Sequence, residues 1–285
     1  MQVPAYAKVN LTLEVIGRRD DGYHDVATLL QTVDLADTLT LQPSDALAVT
    51  CDDPALSGEA NIVWVAANAL ARRAGITPAA SIHITKRIPV AAGLGGGSAD
   101  AAAALIGLNR LWQLNLGSDE LAELAATLGS DVPFLLAGGT ALATGRGDRL
   151  SALPALPATA VLLVVSRDTI DAKTPTLYRA LAAGDFTDGG HTHRLANQLS
   201  HTSPTSTDCR NAFERAAQSI FPGLSDVWDI VASITRHTPR LSGAGPTIFC
   251  LPSSETEHMR VQVALRNTGA TAYLVRTLNP AHVGN

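Results

Sequence analysis

The chain has 285 residues, 46% hydrophobic and 16% charged, the balance of a globular protein with a sizeable core in one large or two modest domains. A formal charge of −5 argues against nucleic acid or a membrane surface as partner, since either favours a basic face, and leaves small molecules or other proteins. Three cysteines, at positions 51, 209 and 250, fit neither a disulfide framework nor a zinc site, and the lack of a signal-like apolar core or a long apolar run points to a soluble, cytoplasmic protein.

From Lys8 to Gly17 the apolar residues Val9, Leu11, Leu13 and Val15 alternate with polar Lys8, Asn10, Thr12 and Glu14, which predicts a half-buried strand. Lys8 and Asn10 then project from the same non-core face, near enough to serve one ligand. "RRDDGYHD" ends the pattern with an Asp-Gly turn signal, and "LTLQ" follows as a strand. "NIVWVAANALARRAG" reads as a helix with Asn61 as cap and Gly75 beyond its last turn. "SIHITK" alternates again, and "AAAALIGLNRLW" has helical composition. "SDELAELAATLG" predicts a helix capped by Ser118 and closed by Gly129.

A loose boundary falls near residue 155, in the Pro-rich "ALPALPA" before the strand "TAVLLVVS". Beyond it, helices are expected at "TPTLYRALAAG", "NAFERAAQSI" and "LSDVWDIVASI", then strands at "PTIFCLP" and "TAYLVRTL" around a helix at 253 to 267. Thr174 followed by Pro175 reads as a cap with proline at the first helical position. The polar stretch from 184 to about 207 reads as a mobile loop.

The main chemical signal is "AAGLGGGSAD" at 91 to 100, between a strand and a helix. Glycines at a helix mouth turn several backbone N–H groups towards one point, where the helix dipole adds positive potential. Residue pattern alone leaves a bare strand-to-helix connection equally open. Ser98-Ala99 lacks the lysine of a P-loop, and Gly93 and Gly95 are followed by Ser98 where a dinucleotide fingerprint needs its third glycine. "HTH" at 191 to 193 lacks neighbouring acids or cysteines and reads as solvated rather than as a metal site. "RGD" at 146 to 148 reads as a turn, and His83 needs no function.

"PVAAGLGGGSADAAAA" resembles the phosphate loop of the GHMP kinases: a proline, a short spacer, Gly-Leu, a run of small residues with serine, then alanines. "AYAKVNLTLEVIGRRDDGYHDVATLLQTVDLAD", "LGSDVPFLLAGGTALATGRGD" and "LSGAGPTIFCL" match further blocks in the same order, those of the branch that acts on a cytidylyl-linked polyol. The resemblance implies an α+β fold of two domains sharing a cleft. Residues 1–155 would be the ATP-binding part, like the second domain of a small-subunit ribosomal protein, and 156–285 a ferredoxin-like part. It implies ATP, accompanied by Mg2+ with no protein ligand named, its phosphates on Val90, Ala91, Ala92, Gly93, Leu94, Gly95, Gly96, Gly97, Ser98, Ala99 and Asp100.

By itself Asp131 is a turn former and Lys8 a solvated strand lysine. The resemblance makes Asp131 the base that takes a proton from a substrate hydroxyl and Lys8 the charge that steadies the transferred phosphoryl group. It implies that Tyr23 and Tyr178 sandwich a cytosine ring, that His24 reads its edge, and that Asn10 and Thr174 contact the substrate. Two positions depart from the family pattern: Ala99 stands where a second serine is common, and Asn197-Gln198 where an Asn-Asp pair is. A homoserine- or mevalonate-type kinase and a catalytically silent binding protein of the same fold are the rival readings. Tyr23-His24 after the Asp-Asp-Gly turn argues against the first, and Lys8 with Asp131 against the second.

Overall fold

A computed structural model describes residues 1–167, 170–199 and 202–279. In chain order the main elements are β1 (Gln2–Arg18), β2 (His24–Gln42), β3 (Ala48–Cys51), α1 (Ile62–Ala74), β4 (Ser81–Thr85), α2 (Gly96–Leu111), α3 (Ser118–Leu128), α4 (Val132–Ala137), β5 (Thr140–Gly145) and β6 (Arg149–Ala152). There follow β7 (Ala160–Val165), α5 (Lys173–Arg179), α6 (Gly190–Gln198), β8 (Arg210–Asn211), α7 (Glu214–Ile220), α8 (Leu224–Thr235), β9 (Arg240–Leu241), β10 (Thr247–Cys250), α9 (Glu255–Ala264) and β11 (Thr271–Arg276).

Among the described residues the strands form two sheets. In the larger, the order is β3-β4-β2-β1-β8, with β5 on β2 and β6 on β5; in the smaller it is β11-β7-β10-β9. Residues 2–152 supply the larger sheet except for β8, which pairs parallel with β1 through Thr12–Arg210 and Leu13–Asn211. The alanine-rich α2 lies against β1 and β2, its Ala101, Ala104, Leu105 and Leu108 fully buried. Small side chains there let the helix approach the sheet closely.

β1 departs from the half-buried strand that its alternation predicts. Val9 and Leu11 enter the core as expected, but Lys8, Asn10, Thr12 and Glu14 on the other face are buried too. The second face is covered by parts of the chain far away in sequence. Ser242 Oγ accepts from the Asn10 amide at 3.3 Å, and Thr192 of α6 donates its N–H to Glu14 Oε2 at 2.7 Å and its hydroxyl to Thr12 Oγ1 at 2.9 Å. Burial pushes the Glu14 carboxyl up, but the Thr192 amide, the threonine hydroxyls and Arg210 outweigh it and hold the group below its ordinary value.

α1 begins and ends as the sequence predicts, with Asn61 Oδ1 accepting from Val63 N at 2.8 Å and Gly75 in the left-handed region. Other expectations are corrected. The cap of α3 is Gly117, not Ser118, and the acid three residues on bonds back to it, Glu120 Oε2 accepting from Gly117 N at 3.2 Å. α2 starts inside the glycine run at Gly96, so Ser98, Ala99 and Asp100 lie in its first two turns rather than ahead of it. α5 starts one residue before Thr174, at Lys173, whose side chain is anchored elsewhere. The predicted helix at "NAFERAAQSI" starts only at Glu214, because Asn211 is drawn into β8 and donates its amide to Leu241 O and Gly243 O. The polar stretch read as a mobile loop contains α6, anchored by buried Thr192, Leu195 and Ala196; Ser200 and His201 lie outside the described residues. Its His191 ring bonds the Asp208 carbonyl at 2.7 Å.

Candidate active site

Two glycines decide how the phosphate loop sits. Gly93 has φ +85°, and a Cβ there would stand 2.5 Å from the Ser242 carbonyl oxygen and 3.0 Å from that of Gly245. The loop thus packs backbone to backbone against residues 242–245. Gly95 has φ +74°, and a Cβ on it would meet Lys8 Cγ at 3.1 Å and Cε at 3.2 Å. Its bare backbone gives the Lys8 side chain room to pass. Gly93→Ala is expected to lower unfolding free energy by about 2 kcal/mol or more, from left-handed backbone strain together with the clash. Urea denaturation measures it, and an unchanged midpoint would contradict the packing described.

Lys8 emerges beside that loop, almost fully buried. Its Nζ donates to Asn10 Oδ1 at 2.6 Å and lies 3.3 Å from Asp131 Oδ2. Asn10 Nδ2 donates in turn to Thr28 Oγ1 at 2.8 Å, and Thr28 donates to the Thr12 carbonyl at 2.5 Å, so the lysine's partner is itself fixed. Asp131 stands immediately before α4 and makes no capping bond to it; its side chain remains 36% exposed. The expected turn-forming aspartate is a carboxylate held by one buried cation and open to a ligand.

The loop residues play unequal parts. Ala92, Leu94 and Ala99 are buried in the core, while Val90, Ala91, Gly96 and Gly97 line a cavity of about 240 Å³ with Asn61 and Lys86. Asp100 is drawn inward: Lys86 Nζ donates to Asp100 Oδ2 at 2.8 Å and to Asp37 Oδ2 at 2.5 Å. Asp37 Oδ1 also accepts the backbone N–H groups of Arg87 and Ile88. Burial pushes the Asp100 carboxyl up to about 7, against the pull of Lys86. This buried triad, which joins β2, the segment after β4 and α2, is absent from the sequence reading.

A second cavity, of about 660 Å³, is lined by Tyr23, His24, Thr174 and Tyr178 together with Arg18 and Arg146. The aromatic residues named from the sequence therefore share one cavity, but the two tyrosines do not face each other across an empty slot. His24 stacks on Tyr178, with ring centroids 4.3 Å apart and an interplanar angle of 14°. Tyr23 carries the Arg146 guanidinium 3.7 Å above its ring. Burial, with a smaller contribution from Arg18, holds the His24 imidazole below its ordinary value and so favours its neutral form. Arg146 also lines a small pocket with Gly129 and Ser130, the two residues before Asp131. Arg18, Arg146, Lys86 and Ser242 are not named as site residues from the sequence, although three of them, Arg18, Arg146 and Ser242, lie within the blocks that carry the family resemblance.

Fold and phosphate loop together define a GHMP kinase. Residues 61–139 match the family model described as GHMP kinases N terminal domain. A 4-diphosphocytidyl-2-C-methyl-D-erythritol kinase of Dehalococcoides mccartyi is 39% identical over 278 residues, covering 97% of this chain and 98% of that protein. A crystal structure of 4-(cytidine 5'-diphospho)-2C-methyl-D-erythritol kinase superposes with a TM-score of 0.82 at 34% identity, covering 97% of this chain and 99% of that one. The homoserine kinase of Cytophaga hutchinsonii shares the fold, with a TM-score of 0.76 at 20% identity over 98% of this chain and 96% of its own. The chain belongs to the 4-diphosphocytidyl-2-C-methyl-D-erythritol kinase family.

Proposed function

We propose that this cleft transfers the γ-phosphoryl group of ATP to the 2-hydroxyl of 4-diphosphocytidyl-2-C-methyl-D-erythritol, releasing ADP and the 2-phosphate. The observation that carries this reading is the Lys8–Asp131 pair, whose lysine passes against Gly95 of the phosphate loop; a separate cavity combines aromatic rings with arginines. Asp131 takes the proton of the 2-hydroxyl as its oxygen forms the new bond to the γ-phosphorus, and the bond from that phosphorus to the bridging oxygen of ADP breaks. Lys8 neutralises charge on the oxygens between the two bonds, and Asn10 keeps its ammonium in place. Most of the acceleration comes from positioning and fixed charge, because phosphoryl transfer asks little covalent chemistry of the protein.

In the second cavity a cytosine would displace His24 from Tyr178 or Arg146 from Tyr23, exchanging one stacked contact for another at small cost. A neutral His24 can both donate to and accept from the base edge. Arg18 and Arg146 suit the substrate's diphosphate.

The loop suits the phosphates of ATP, since Val90, Ala91, Gly96 and Gly97 line a cavity at the N-terminal end of α2, where backbone N–H groups and the helix dipole favour an anion. Mg2+ would enter this site only as a partner of those phosphates, since no cluster of three ligating side chains exists among the described residues. When bound, it shields the triphosphate charge.

No helix among the described residues is long and apolar enough to cross a membrane, and all three cysteines are buried free thiols, which suits the reducing cytoplasm. ADP release measured with a panel of acceptors tests the assignment. Turnover is expected with the cytidylyl substrate and not with homoserine or mevalonate. Activity on either of those alone would overturn it, and activity on none would favour a silent binding protein.

A further inference from the structure

Lys173, the first residue of α5, reaches across to two other segments. Its Nζ donates to the Ala91 carbonyl of the phosphate loop at 2.6 Å and to the Gly245 carbonyl in the turn before β10. Ala91 has φ 55°, a left-handed conformation that a non-glycine residue holds only at a cost, and the lysine bond helps to fix it. An ammonium has three N–H donors, and these two carbonyls use two of them.

Among the described residues the charge of Lys173 has no carboxylate partner within ion-pairing distance. Neither the phosphate loop (90–99) nor the turn at 242–247 carries an ionisable side chain. The charged group that acts on it from β1 is another cation, Lys8, whose own carboxylate partner is Asp131. Burial first, and Lys8 second, bring the Lys173 ammonium down to about 8. A half-buried cation facing a second cation is costly unless an anion joins them.

We propose that Lys173 is an anion-binding residue: its third N–H and its charge engage a phosphate oxygen of the bound nucleotide while its other two donors strap the phosphate loop to the Ser242–Gly245 turn. This rests on the nucleotide reading of the loop. It adds a second lysine, from the far half of the chain, to the one that β1 supplies. Nucleotide binding stabilises the charged form of Lys173, so the complex holds more protons than the free protein above about pH 8, and affinity falls as pH rises through that range.

Calorimetric titration of the full chain with a non-hydrolysable ATP analogue, at about pH 8.5 in two buffers of different ionisation heat, reads both affinity and proton uptake. The wild-type protein is expected to take up part of a proton. Lys173→Met is expected to bind the analogue roughly tenfold more weakly, with that uptake lost. Lys173→Arg should recover most of the affinity without uptake, since a guanidinium stays charged throughout. The cytidylyl substrate should bind all three proteins alike. A strap that touches no phosphate would lower the melting temperature of Lys173→Met and leave analogue affinity and proton uptake at wild-type values, which would overturn the proposal alone. A wild-type protein that binds no analogue would overturn the nucleotide reading with it.

Discussion

Asp131→Asn is expected to lower kcat by roughly 10²- to 10⁴-fold, with KM for ATP and for the cytidylyl substrate within about threefold of wild type. The substitution keeps the size of the side chain and an oxygen that can still accept from Lys8, but it removes the site that takes the proton. Two features make the test clean. The Asp131 side chain caps no backbone group of α4, and it is partly exposed, so its replacement leaves no buried donor orphaned. Stability should change little, and a fall in turnover then reports chemistry. Steady-state kinetics alongside a thermal melt decide it: unchanged kcat removes Asp131 from the mechanism, whereas a loss matched by a lower melting temperature points to structure.

What could be read from the sequence was what neighbours along the chain determine. The alternation of β1 put Lys8 and Asn10 on one face, and the 2.6 Å bond between them is the direct consequence. The glycine run between β4 and α2 was legible because only backbone that must turn sharply or be approached closely tolerates so many glycines. What escaped was set by contacts between distant residues. Asp37 and Asp100 meet at Lys86 across 49 and 14 positions, and Asn10 finds Ser242 across 232. A polar composition suggested mobility near α6, but the buried Glu14 carboxylate accepts a bond from that helix's Thr192 amide. Nor does the presence of aromatic residues reveal what already lies on them: only the structure shows His24 on Tyr178 and Arg146 on Tyr23.

The Lys8–Asp131 pair should also behave as one unit under substitution. Lys8→Met retains an unbranched side chain that can pass Gly95, and it is expected to cost roughly 10²- to 10³-fold in kcat through loss of the charge at the transferred group. Arginine is a poor conservative replacement, since the Lys8 stem already runs 3.1 Å from where a Gly95 Cβ would be. If the lysine acts on the group that Asp131 activates, the second substitution removes help that the first has already made useless. The Lys8→Met, Asp131→Asn double variant should therefore lose little more than the worse single, far short of the product of the two losses. Fully multiplicative losses would mean two residues that act independently. A Lys8→Met enzyme with raised KM for ATP and wild-type kcat would make Lys8 a binding residue only, and the charge at the transition state would then have to come from elsewhere in the phosphate loop.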